Sequence, residues 1–243
     1  MVDGFHSTNF QPSTINHQPF MNLRWKIAQA AEIRWWQRYL KNKNTGDYAV
    51  WKKNYWQKLL EEIGLSDLGQ MQDLPLQNAQ KILDAGCGPA GIFMVLTPQH
   101  HVTALDPLLD NYEKKLTHFK RSFFPAVKFV SQSLESFGTQ KESFDVVFCL
   151  NAINHVSDLE SAIDVLIKST RTGGTLVVSI DAHRSRFLKH IFAALPGDIL
   201  HPHQYTLEEY REMFLSRGCE EVSILLKKEE AIFNYYILVL RVN

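Results

Sequence analysis

The residues best placed to do chemistry cluster in Asp84-Ala85-Gly86-Cys87-Gly88-Pro89-Ala90-Gly91. The apolar run Lys81–Ala85 reads as a strand that feeds a Gly-x-Gly-x-x-Gly loop. Glycine has no β-carbon and tolerates φ > 0, so a ligand can approach such a loop to backbone distance. Asp106 ends the next strand-like run, Val102–Asp106, where a carboxylate accepts hydrogen bonds from ribose hydroxyls. By itself the loop fits a dinucleotide, which leaves a nicotinamide or flavin oxidoreductase as a competing reading.

The neighbouring residues separate the two. Asp84 puts negative charge at the mouth of the loop, where a pyrophosphate would otherwise meet backbone amides, and Pro89 removes one such amide. S-adenosylmethionine carries an α-ammonium and a sulfonium and no phosphate, so an acidic loop suits it.

Several segments in order then resemble the class I, Rossmann-like S-adenosylmethionine-dependent methyltransferases. Ile82-Leu83-Asp84-Ala85-Gly86-Cys87-Gly88-Pro89 is similar to the family's first motif, and Ala104-Leu105-Asp106 to its acidic second-strand motif. Phe144 to Asn151 with Asn154-His155-Val156 resembles the fourth-strand segment, and Thr172-Gly173-Gly174-Thr175-Leu176 the turn into the fifth strand. The resemblance spans residues 80–243 and implies a doubly wound, mostly parallel seven-stranded sheet whose last strand is antiparallel. It also implies that Asp84, Gly86, Cys87 and Gly88 hold the methionyl end, that Asp106 binds the ribose, and that Leu105 and Pro107 flank the sugar and adenine. Leu134 and Glu135 fall near the adenine, with Ser133 where many relatives carry an Asp. Asn151 falls near the methionyl group or the reacting centre.

Methyl transfer requires an aligned nucleophile and, for a hydroxyl or thiol, a proton acceptor. Three of the ten histidines are candidates. His155 follows the fourth strand at the edge where open α/β sheets build their sites, with packing or capping as the plainer alternative. His201 and His203 flank Pro202; an extended triplet would set both imidazoles on one face, for a base, a substrate carboxylate or a metal. No third ligand is evident from spacing, so no metal site is assigned. The competing reading is a loop leading to a helix that starts at Thr206-Leu207-Glu208-Glu209, a capping-box match. Trp35, Trp36 and Tyr39, with Tyr55 and Trp56, suggest a lid over an apolar or aromatic substrate, although the same spacing describes a core-facing stripe. Arg184 and Arg186, in the long segment 182–200, could hold an anionic substrate group or lie in solvent.

These residues need a scaffold, and the pattern of the chain supplies an α/β one. Residues 1–79 read as a polar arm followed by two aromatic-rich helices, Leu23–Lys41 and Asp47–Ile63, forming an N-terminal helical cap. Residues 80–243 read as the catalytic domain, with strands at Lys81–Ala85, Val102–Asp106, Val127–Ser131, Phe144–Leu150 and Thr175–Asp181 and a helix at Leu159–Ser169. Gly173-Gly174 reads as a tight turn before the fifth strand, and Glu221–Lys227 with Tyr235–Arg241 as a closing hairpin.

Lys plus Arg and Asp plus Glu number 26 each, so no global field draws the chain to nucleic acid or an anionic membrane, and a small-molecule substrate is the expected partner. Three widely spaced cysteines do not form a disulfide framework, and the N-terminus lacks the basic start and apolar run of a signal peptide. Both features fit a cytoplasmic protein. Monomer and homodimer remain equally open. A non-catalytic binding member of the same fold is the second alternative, since it would keep the loop without turnover.

Overall fold

The computed structural model describes residues 18–69, 80–96, 98, 100–137, 143–184, 205–230 and 232–243. Seven strands form one sheet in the order β3-β2-β1-β4-β5-β7-β6. They are β1 (Lys81–Ala85), β2 (His101–Leu105), β3 (Val127–Val130), β4 (Phe144–Cys149), β5 (Thr170–His183), β6 (Cys219–Glu229) and β7 (Phe233–Val242). The pairs from β3 through β5 are parallel, and β7 runs antiparallel to both β5 and β6. This is the doubly wound sheet with an antiparallel last strand, and β6–β7 is the expected hairpin.

The helices are α1 (Gln18–Leu40), α2 (Thr45–Glu62), α3 (Leu109–Lys115), α4 (Leu159–Ser169) and α5 (Leu207–Leu215). Asn44 starts α2 by accepting from the amides of Gly46 and Asp47 through its side-chain oxygen. Helix α4 begins where Asp158 accepts from Ser161 N at 3.1 Å, and it buries Leu159, Ala162, Ile163, Val165 and Leu166 in one helical stripe. Each such Leu or Ile contributes about 2 kcal/mol by leaving water. The capping box of α5 is present, with Glu209 N donating to Thr206 Oγ1 and Thr206 N to Glu209 Oε2.

Strand period two decides what each face carries. Leu83, Ala85, Val147, Leu176 and Val178 pack against α4 and α5. Ile82, Val146, Phe148, Val177, Ile237 and Val239 face the other way, under Trp56, Leu59 and Leu60 of α2. Helix α1 joins α3 over Val102 and Ala104, burying Ile33 and Leu40. The cap helices therefore complete the core of the sheet. Asp84 follows Ile82 by two residues, and Asp106 follows Val102 and Ala104 at the same period, so both carboxylates project to the cap side.

One feature departs from the sequence expectation. Gly173-Gly174 is not a turn ahead of a strand: β5 already starts at Thr170, and the register against β4 shifts between Phe144 and Val146. The surplus residues bulge, with Gly173 at φ 75° and a β-carbon on Gly174 placed only 2.8 Å from Arg171 O and 3.0 Å from Asp145 O. Between β1 and β2 the described residues hold no α-helix, only a three-residue 3-10 turn, Ile92–Met94. His201, His203, Arg186 and nearly all of the 182–200 segment lie outside the described residues, as does most of the N-terminal arm.

Candidate cofactor site

The loop after β1 is held against β2 by its own backbone: the amides of Gly86 and Cys87 both donate to Leu105 O, at 2.7 and 3.0 Å. Gly86 has φ 71°, and a β-carbon there would lie 2.2 Å from that of Ala152, so only glycine lets the loop pass the segment leaving β4. Gly91 is required for a different reason, because its β-carbon would lie 2.3 Å from Asp84 Oδ2 and 2.6 Å from Cys87 O. Asp84 is 2% exposed. Its Oδ2 accepts from Phe93 N at 3.0 Å, and the Ile92 amide also donates to the carboxylate. Burial pushes the Asp84 carboxyl up to about 7, against the pull of those amides and of Lys52.

Asp106 sits at the other end of the loop. Its Oδ1 accepts from Leu108 N at 2.7 Å and its Oδ2 from Gly88 N at 3.0 Å, so it braces the loop while its remaining lone pairs stay available to a diol. Burial, and then the nearby Glu32 carboxylate, push Asp106 up to about 7. Glu32 comes from α1 and accepts from Tyr112 Oη at 2.5 Å. Asn151 leaves β4 with φ 54°, a left-handed conformation rare outside glycine, and donates its amide to Ser179 Oγ at 2.7 Å.

The cap closes over this loop. Trp56 donates Nε1–H to Ala90 O at 3.0 Å, and a β-carbon on Gly88 would lie 3.9 Å from Cζ2 of Trp36. One turn before Trp56, the Lys52 ammonium lies 4.3 Å from the Trp56 ring centroid and 4.7 Å from that of Tyr55. Burial pulls Lys52 down to about 8, and Asp84 opposes the shift.

Of the residues expected from sequence, Asp84, Gly86, Cys87, Gly88 and Asp106 meet at one site, with Asn151 beside Ala152 at its edge. Pro107 follows Asp106 and is half-buried, while Leu134 is buried among the apolar residues behind the sheet. The Glu135 carboxylate is committed elsewhere: Oε1 accepts from Ser157 N and Oγ, both at 2.7 Å, and so closes the turn ahead of α4. His155 ends the 3-10 turn Ile153–His155 and is half-buried. Trp36 and Tyr39 are half-buried, but Trp35 is 52% exposed and stacks on Tyr39 at 4.9 Å. Lys52 and Glu32 were not anticipated. A lysine among helical polar residues reads as solvated, and only its spacing to Tyr55 and Trp56 marks it as covering rings.

The donor set tests the choice of ligand. A pyrophosphate needs free amides at the start of a helix, but here the helix is absent among the described residues and Asp84 already takes the Phe93 and Ile92 amides. S-adenosylmethionine fits the same groups: a diol for Asp106, and a cationic methionyl end beside the buried Asp84 carboxyl, whose ionisation that cation would favour.

Known proteins agree. Residues 83–178 match the methyltransferase domain family. The ubiquinone biosynthesis O-methyltransferase of Rickettsia akari is 33% identical over 100 residues, which cover 41% of this chain and 39% of that protein. Its Rickettsia bellii counterpart is 32% identical over 116 residues, covering 47% and 48%. The match thus spans less than half the length of these curated relatives. Magnesium protoporphyrin IX methyltransferase from Synechocystis, solved with bound SAH, superposes with a TM-score of 0.58 at 15% identity, covering 92% of this chain and 99% of its own. The 1,6-didemethyltoxoflavin N1-methyltransferase of Burkholderia thailandensis, solved with S-adenosylhomocysteine, gives 0.56 at 15% identity, covering 97% and 93%. Residues 83–178 are thus a methyltransferase domain by sequence, and the ordered motifs, the acidic glycine loop and the sheet order are those of the class I, Rossmann-like S-adenosylmethionine-dependent methyltransferases.

Proposed function

We propose that this chain transfers the methyl group of S-adenosylmethionine to a hydroxyl oxygen of a small, apolar or aromatic metabolite in a reducing cytoplasm. The observation that carries the reading is the closure of Asp84 over the Phe93 amide, which leaves an acidic loop with no place for a phosphate. The printed names of the Rickettsia relatives support oxygen as the acceptor, and the aromatic cap supports an apolar substrate. The three cysteines are free and buried, in keeping with a reducing compartment.

When bound, S-adenosylmethionine supplies an electrophilic methyl group. The chain's own residues bind and orient. Asp106 would accept from the ribose diol, the Gly86–Gly88 backbone would hold the methionyl arm, and Asn151 would stand at the edge where the acceptor enters. Trp36 and Tyr39 form the substrate wall nearest the loop, with Trp35 backing Tyr39 and shielding it from water. His155 is the described candidate for taking the hydroxyl proton, and His201 and His203 are the others.

Incubating the protein with S-adenosylmethionine and a panel of catechols, phenols, amines and thiols tests this. S-adenosylhomocysteine should form with an O-methylated phenol or catechol, detected by mass. Methylation confined to amines or thiols would overturn the oxygen assignment, and binding without turnover on any acceptor would favour a non-catalytic member of the fold. Should His155 be the proton acceptor, His155→Ala lowers kcat on the order of 100-fold or more while cofactor affinity stays constant.

A further inference from the structure

Lys52 has no role in the family motifs, yet its surroundings are built. Its ammonium is enclosed by the rings of Trp56, Tyr55 and Trp51, at 4.3, 4.7 and 5.9 Å from their centroids. Among the described residues no hydrogen bond or ion pair is made by that ammonium, Asp84 included. A half-buried ammonium beside rings keeps three donors that no protein acceptor takes up among the described residues, and an anionic ligand can receive them. The position is fixed, because Trp56 anchors this turn of α2 to Ala90 O in the glycine loop. Asp84 projects to the same side of β1, and the two groups sense each other's charge. Lys52 on the cap and Asp84 beside the glycine loop therefore lie within electrostatic reach of one another.

An α-amino acid group is a zwitterion, with one charge of each sign on a single carbon. We infer that Lys52 receives the α-carboxylate of the cofactor's methionyl end, so that α2 of the cap forms one half of a zwitterion slot and the Asp84 loop forms the other. The inference rests on the S-adenosylmethionine reading of the loop and gives the cap a direct part in cofactor binding. The guanidinium of arginine could substitute, whereas an uncharged chain of similar length could not. The rings would still be covered by such a chain, which separates a structural role from a binding one.

Calorimetry on the full chain at pH 7 tests this with S-adenosylhomocysteine and its analogue lacking the α-carboxylate. The wild type should prefer the intact ligand by roughly tenfold or more, the usual scale for one charge-assisted hydrogen bond. Lys52→Met should weaken the intact ligand by that factor and leave the decarboxylated analogue unchanged, and Lys52→Arg should keep the preference. Equal loss for both ligands, or no loss for either, overturns the inference while leaving the cofactor reading intact. Where Lys52→Met fails to fold by circular dichroism, Lys52→Gln takes its place, and a wild type with no preference between the ligands is sufficient to overturn it. A wild type that binds neither ligand removes the cofactor reading itself.

Discussion

Gly86 and Gly91 constrain the loop through different neighbours, and each has a distinct signature on substitution. Gly91→Ala forces a β-carbon into the Asp84 carboxylate and the Cys87 carbonyl, both of which are held by packing and hydrogen bonds. Crowding of this kind costs about 1–3 kcal/mol, so Tm should fall and S-adenosylhomocysteine should bind at least tenfold more weakly by calorimetry. A variant with unchanged Tm and affinity would mean that the loop yields freely there. The carboxylates and glycines of this site were legible in the sequence because strand period and loop spacing fix them locally. The role of Glu135 was not, since its partner Ser157 lies 22 residues further on and meets it only in the folded chain. Lys52 was hidden for the same reason: the charge that gives it meaning, Asp84, belongs to another element.

At the scale of elements, α2 and α5 should respond to single changes in different ways. Trp56→Phe keeps a ring against Leu59, Leu60 and the sheet but removes the donor to Ala90 O. A buried carbonyl left without its partner costs about 1–3 kcal/mol, and loosening the cap over the loop should weaken cofactor affinity as well. Thr206→Ala breaks the α5 capping box, which costs about 1 kcal/mol and should leave cofactor affinity unchanged by the same calorimetry. The contrast distinguishes an element that contributes to the site from one that only supports the sheet. Helix α4 was read from sequence with its observed bounds because Asp158 and the apolar stripe agree on them. The start of β5 was misread because Gly173-Gly174 marks a bulge as readily as a turn, and only pairing with β4 decides between them.

For the whole molecule, buried charge sets a pH dependence. The folded state raises Asp84 and Asp106 from the ordinary 3.8 to about 7, so it binds their protons more tightly than the unfolded chain does. Their contribution to stability is complete below about 4 and is lost as pH rises through about 7. The protein without cofactor should therefore lose Tm as pH rises from about 4 to about 7 in a thermal-shift series, and level off above that. Asp84→Asn should flatten that slope, and an unchanged slope would show that Asp84 is already ionised in the fold. Lys52, pulled down from 10.5 to about 8, acts in the opposite sense, so Tm should recover in part as pH rises from about 8 towards 10.5. No helix among the described residues is long and apolar enough to cross a membrane.

The central claim is that the acidic glycine loop holds a nucleoside carrying a cationic methionyl arm and no phosphate. Parallel calorimetric titrations of the full chain with S-adenosylhomocysteine and with NADH test it most directly, using the wild type and Asp106→Ala. We expect saturable binding of S-adenosylhomocysteine, weakened roughly tenfold or more by Asp106→Ala, and no heat from NADH. Tight NADH binding, or S-adenosylhomocysteine affinity indifferent to Asp106, would contradict the account.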